Sequence, residues 1–301
     1  VNDSVTGNTL DLTGGDNSGF SGKMTVSAGT LQGDTDALTT DITNSGTVVF
    51  DQDGSELNSG LYDSFISGTG GVTKTGTGDL LIDQAQTYTG ATSIQNGTLQ
   101  IDSGGNLSDD TDLSLDNSST FSLNGASVGV DELSSSSSTT KVDLGSGTAL
   151  TVGKGDATTA TFKGQITGAG GLTIDSSTNT NSYTQVIDNA ANDYTGATTI
   201  TDGTLQTGAN GVITDTSAVV VDVDGILDLN GNTETVGSIA DGGGGGGSIT
   251  LGSGALTAGG DNSTTTFSGV ISGTSTGSLT KTGGGELTLS GTNTYDGATD
   301  I

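Results

Sequence analysis

The last twenty-one residues, "KTGGGELTLSGTNTYDGATDI" (281–301), respell "KTGTGDLLIDQAQTYTGATSI" (74–94), and weaker copies stand at 6–32 and 174–206. A unit that recurs this way cannot bury its own apolar face alone. It has to stack on its neighbours, which predicts an elongated solenoid with long surfaces rather than a globule around one pocket.

The copies align on a "GTLQ" element. Gly29-Thr30-Leu31-Gln32, Gly97-Thr98-Leu99-Gln100 and Gly203-Thr204-Leu205-Gln206 each follow an aromatic nine residues before the glycine: Phe20, Tyr88 and Tyr194. Tyr295 is the fourth aromatic. Successive aromatics lie 68, 106 and 101 residues apart, so the last two intervals define a super-repeat of about 106 residues. "LNG" at Leu123 and Leu229, "LGSG" at Leu144 and Leu251, and aromatic-x-x-x-Ile-(Ser/Thr)-Gly at Tyr62/Ile66, Phe162/Ile166 and Phe267/Ile271 follow the same period.

Between these landmarks the apolar residues alternate with period two, as in Leu80-x-Ile82, Val142-x-Leu144, Leu150-x-Val152, Val219-x-Val221-x-Val223, Leu227-x-Leu229 and Leu287-x-Leu289. That is the mark of strands buried on one face. The 54 glycines, with abundant Asn, Asp, Ser and Thr, supply turns. Proline is absent where an average chain would carry about fifteen, as long ladders require, because proline lacks the donor each rung must give. The expected fold is all-β. With parallel strands about 4.8 Å apart and roughly twenty residues per coil, the chain makes a rod on the order of 60–70 Å long.

Composition narrows the function. Six Lys, no Arg and thirty-five Asp plus Glu give a formal charge of −29. That excludes nucleic acid and contact with an anionic membrane, both of which need a basic footprint. Without cysteine there are no disulfides, and no apolar run approaches the roughly 20 residues of a membrane helix. Without histidine, Ser–His–Asp and Cys–His catalysis and the commonest transition-metal ligand are gone together.

Several smaller patterns have a plain reading. Ser138-x-x-Lys141 has Ser–Lys spacing but sits in a serine tract, and reads as a solvated loop. Gly153-Lys154-Gly155 and the run 242–247 fit no phosphate-binding pattern; the run reads as a mobile loop extruded between rungs. Asp51-x-Asp53-Gly54, Asp222-x-Asp224-Gly225 and the group Asp109, Asp110, Asp112 carry the oxygen ligands calcium prefers, but read as solvated turns with at most weak divalent-cation binding. No catalytic, cofactor or metal residue is assigned.

The stretch "SGTGGVTKTGTGDLLIDQAQTYTGATSIQNGTLQ" (67–100) resembles the passenger-associated transport repeat of autotransporter adhesins, with further copies near 6–32, 173–206 and 278–301. The resemblance is interrupted by the insert "SSTNTNSYTQVIDNAA" (176–191). It implies a right-handed parallel β-helix at the surface of a Gram-negative bacterium, acting in adhesion, aggregation or biofilm formation, with partners that are copies of itself, a receptor or a glycan. No signal peptide or barrel strand is seen, so residues 1–301 read as one continuous β-helix slice of a longer, outer-membrane-anchored protein. A carbohydrate-active β-helix, a polysaccharide hydrolase or lyase, is the alternative.

Within the repeat, Leu80, Ile82, Ile94 and Leu99 are expected to point inward, Gly78, Gly90 and Gly97 to mark turns, and Tyr88, Tyr194 and Tyr295 to pack at corners with their hydroxyls at solvent. Leu229 is expected to be buried.

Overall fold

A computed structural model describes residues 8–15, 19–56, 59–155, 158–178, 182–274 and 276–301; residues 6–7 and 16–18 of the 6–32 copy and residues 179–181 of the insert lie outside them. Every pairing between named strands is parallel, and successive coils stack as a β-solenoid of about 13 turns.

One coil shows the construction. Ile66–Gly68, Gly71–Thr75 and Asp79–Ile82 follow one another around the rod, and each belongs to a different sheet. The cross-section therefore has three faces. Gly71–Thr75 lies on the first face between Thr47–Asp51 and Thr92–Ile94; Ile66–Gly68 lies on the second between Ile42–Asn44 and Thr87–Tyr88; Asp79–Ile82 lies on the third between Leu61–Tyr62 and Thr98–Asp102. Coil length varies from 17 residues (Leu31 to Val48) to 27 (Asp175 to Asp202), the longest coil taking up its extra residue in a register shift between Ile174 and Asp175.

Period-two strands in register put like on like. Leu80, Leu99, Phe121, Val142 and Ile166 form one inward column, and Ile82, Ile101, Leu123 and Leu144 another, all buried. At about 1.5–3 kcal/mol for each fully buried aliphatic side chain, such columns are the main source of stability in a chain without disulfides. Leu80, Ile82, Ile94, Leu99 and Leu229 all point inward as expected. Val223 does not. It is 56 % exposed, because the register shifts between Ile200 and Asp202 where the strand Ala218–Asp228 turns a corner.

The super-repeat does not return to its starting face. Ile66 stands on the second face; Ile166, in Gln165–Gly168, closes the third-face sheet. Ile271, in Val270–Ser272, ends a ladder that continues the first face through the Ser135–Phe162 bridge, Thr159–Phe162, Thr184–Ile187 and Ser248–Thr250. Each super-repeat thus winds one face short of five turns, and the same motif visits all three faces in succession.

Candidate functional site

The repeat motif builds a corner, and the residues two before, at, and four after each tyrosine do different work there. Gln86 Oε1 accepts the N–H of Ile66 at 2.7 Å, Asn192 Oδ1 that of Ile166 at 2.7 Å, and Asn293 Oδ1 that of Ile271 at 2.9 Å. A side chain in one coil thereby satisfies a backbone donor in the coil before it, where the turning chain offers no carbonyl. The motif with the conserved spacing aromatic-x-x-x-Ile and the tyrosine repeat are two halves of one contact.

The tyrosine hydroxyls correct the expectation that they reach solvent. Tyr88 and Tyr194 are wholly buried, and their hydroxyls lie 2.7 Å from Thr92 Oγ1 and Thr198 Oγ1. Each threonine in turn meets a hydroxyl of the next coil at 2.9 Å, Thr111 or Ser217, which donates to the carbonyl of Gly90 or Gly196. Burial raises the Tyr88 and Tyr194 phenols to about 12. Tyr295 makes the same contact with Thr299, half-buried in the last coil. Gly90 is required beside this chain, because a Cβ there would stand 2.5 Å from the Gly70 carbonyl carbon.

Buried Lys74 and Glu234, like buried Asp131, escaped sequence reading. Lys74 occupies an inward position between Phe50 and Ile94, with its stem in the core. Its Nζ donates to the carbonyls of Thr75 (2.6 Å), Gly76 (3.0 Å) and Asn96 (3.2 Å), closing the corner before "GTLQ". Desolvation lowers its pKa to about 8, against the opposing pull of Asp79, Glu56 and Asp51. Lys281 repeats the contact with Thr282 and Gly283. Glu234 is buried on the third face, where residues 192–194 and 212–213 form no regular strand. Its carboxylate accepts the N–H groups of Val212 (3.1 Å) and Ile213 (3.2 Å), while Asn192 donates to the Val212 carbonyl from the other side. Desolvation raises Glu234 to about 7 despite these bonds, with Asp215 adding to the rise.

The outer surface is a set of ladders. Thr73, Ser93, Ser114 and Ser134 stand in register on the first face, one per rung. Gln206 donates to Asp228 at 2.8 Å and Asn124 to Asp102 at 2.7 Å in similar cross-rung pairs.

The small patterns fall as follows. Ser138 is in an exposed turn and Lys141 faces outward from Lys141–Leu144. Lys154 pairs with Asp175 at 2.7 Å, and Gly155 donates to Asp131. Lys154, Gly155 and Asp131, with Thr89, Asp110 and Thr178, line an open depression of about 550 Å³. The glycine run is not an extruded loop: Gly242 bridges Gly245 in a tight hairpin, and Gly246 and Gly247 donate to Ser268 and Val221 of the coils on either side. Asp53 caps its own turn through Ser55, whose hydroxyl holds the carboxylate below its ordinary pKa, and Glu56 accepts the N–H groups of Asp53 and Gly54. Asp109, Asp110 and Asp112 are exposed, as is Asp224, while Asp222 is half-buried. Among the described residues no three carboxylates converge on one point.

Comparison with known proteins agrees with this geometry. The family model of the passenger-associated-transport-repeat matches residues 7–32, 72–101, 184–206 and 279–301. The chain is 34 % identical over 227 residues to the adhesin BmaC autotransporter of Brucella suis biovar 1 (strain 1330), a match covering 71 % of this chain and 6 % of that protein. It is 36 % identical over 131 residues to the uncharacterized protein YuaQ of Escherichia coli (strain K12), covering 44 % of this chain and 8 % of the relative. The chain spans less than a tenth of either protein. No solved structure matches it. The chain is a parallel β-solenoid that carries passenger-associated transport repeats and is similar over most of its length to part of an autotransporter adhesin.

Proposed function

We propose that this segment belongs to a surface-displayed adhesin of a Gram-negative bacterium and acts by contact along its length, on copies of itself or on a receptor, without chemical turnover. The observation that carries the proposal is the in-register outer ladder Thr73, Ser93, Ser114 and Ser134, on a rod of about 13 coils. Hydroxyls repeated at about 4.8 Å make many weak hydrogen bonds whose combined strength grows with length. Similarity to an adhesin autotransporter supports the reading. A glycan-processing site calls for a cleft lined by carboxylates and aromatic rings; the depression holding Asp110 and Asp131 has no aromatic wall.

Charge sets the conditions. Two rods of −29 repel each other, and screening lengths are about 8 Å at physiological salt, so contact between copies should strengthen as salt or a divalent cation is added. The test is the settling and surface binding of bacteria displaying the whole parent protein, measured against salt and against calcium with a chelator control. Settling faster than that of cells lacking the protein, increasing with ionic strength, is expected. Equal settling and no surface binding across the range would contradict the proposal.

A further inference from the structure

Most large apolar side chains exposed on this rod have a local explanation. Leu10 and Phe20 belong to the first coils and Ile301 to the last, while Phe65 stands by itself. Val223 (56 % exposed), Ile226 (37 %) and Val270 (39 %) are different, because they gather at one corner. Ile226 and Val270 are two rungs apart in register, with Ser248 between them. Val223 lies beside the glycine hairpin, its Cγ1 3.4 Å from where a Cβ of Gly244 would stand. Gly243 and Gly244 are exposed and present bare backbone.

The chain contains its own control. Aligned on "LNG", Val223 and Ile226 correspond to Asn117 and Thr120 of the preceding super-repeat, and the glycine run corresponds to the serine tract beginning at Ser134. Aligned on the Ile-(Ser/Thr)-Gly motif, Val270 corresponds to Gln165. The same scaffold thus carries polar residues at all three places one super-repeat earlier. Neither the core nor the ladder demands apolar side chains there, and exposing them costs solvation with no return inside the fold.

The rim defines what would cover them. Asp222 accepts the N–H of Gly244 in the hairpin and Asp241 that of Ser268, Asp224 and Asp228 stand in the same strand one residue after Val223 and two after Ile226, and residues 164–280 contain no basic side chain. A second copy of this chain would set carboxylate against carboxylate. We infer that the corner of Val223, Ile226 and Val270 is a docking patch for a cationic, apolar-faced peptide segment of another protein. The inference rests on the adhesin reading and gives that reading a receptor chemistry: apolar side chains meet the three exposed ones, and flanking Lys or Arg meet the four aspartates.

The test uses the whole chain and an 18-residue peptide with Leu on one face and Lys on its flanks, followed by fluorescence anisotropy at physiological salt. A second peptide with Ser in place of Leu measures attraction by charge alone. The Leu peptide should bind at least about tenfold more tightly than the Ser peptide. The combined substitution Val223→Asn, Ile226→Thr and Val270→Gln installs the preceding super-repeat's residues, leaves the net charge unchanged, and should abolish that difference. Equal affinities of the two peptides for the parent chain, or an unchanged Leu-peptide preference in the triple variant, would overturn the inference. So would sedimentation showing that the patch mediates dimers and binds neither peptide. If the triple variant melts early, Val223→Asn alone at the most exposed position carries the comparison. Settling of displaying cells reports separately on adhesion, so failure of the patch and failure of the adhesin reading give different results.

Discussion

At the residue scale, the corner tyrosine shows how a polar group becomes part of a core. The Tyr88 hydroxyl is satisfied by Thr92, which also meets Thr111, and the chain ends on the Gly90 carbonyl, so no partner is left over. Tyr88→Phe removes the first link and leaves Thr92 short of a partner in a dry corner. A loss of about 1–2 kcal/mol is expected, read as a lower denaturant midpoint with unchanged slope. An unchanged midpoint would mean that the hydroxyl is solvated. Leu229→Asp is a harsher change at a fully buried position whose backbone N–H donates to Thr250. Burying an unpaired carboxylate costs several kcal/mol, and thermal unfolding should show a far larger loss than an apolar-to-Asp change at exposed Val223. Equal effects at the two sites would place Leu229 at the surface.

At the element scale, Glu234 replaces a missing strand. Two rungs of the third face have no regular ladder; the carboxylate ties the rung at 212–213 to the strand Glu234–Val236 by accepting two backbone N–H groups, and Asn192 ties it to the rung before. Its pKa is near 7 in the folded chain against about 4.5 unfolded, so the folded state holds the proton more tightly. Stability from this group is therefore full below pH 4.5 and is lost as pH rises through 7, by an amount on the order of a few kcal/mol. Asp215 is the nearest like charge and Tyr194 the neighbouring phenol, and the chain has no histidine to titrate in the same window. Melting temperature should fall between pH 5 and pH 8, and Glu234→Gln should flatten that slope; an equal slope in both proteins would assign the effect elsewhere.

What was legible in the sequence divides along the same line. Period two identified Leu80, Ile94, Leu99 and Leu229 as inward, because alternation needs no knowledge of the neighbouring coil. The destinations of Lys74, Glu234 and the tyrosine hydroxyls were not legible: Glu234 is placed by amides about twenty residues away, and although Lys74 and the tyrosines also bond near neighbours, it is the next coil, through Asn96, Thr111 and Ser217, that completes and buries those contacts. The lysine carried one signal: it recurs as Lys281 in the same motif. Val223 misled for a related reason, since alternation assumes a straight strand and this one bends around a corner.

At the scale of the whole molecule, the rod is both scaffold and surface. Its coils vary from 17 to 27 residues, and the ladders shift register after Ile174 and after Ile200, where the chain turns a corner, so sequence change is tolerated at corners and refused inside. Because each super-repeat ends one face short of five turns, a surface feature tied to the motif is offered in three directions along a longer array. Function by contact depends on that regular stacking, which a chain without cysteine lets one test directly. Ser93 and Ser114 are in-register neighbours on the first face, and Ser134 lies one rung further. Adjacent parallel strands lie about 4.8 Å apart, within disulfide reach, whereas two rungs are about 10 Å apart. The pair Ser93→Cys with Ser114→Cys should therefore oxidise rapidly to an intramolecular disulfide in the native protein, and the pair Ser93→Cys with Ser134→Cys should not. Equal oxidation of the two pairs, or failure of the adjacent pair to close under native conditions, would contradict the stacked, in-register solenoid on which the whole account stands.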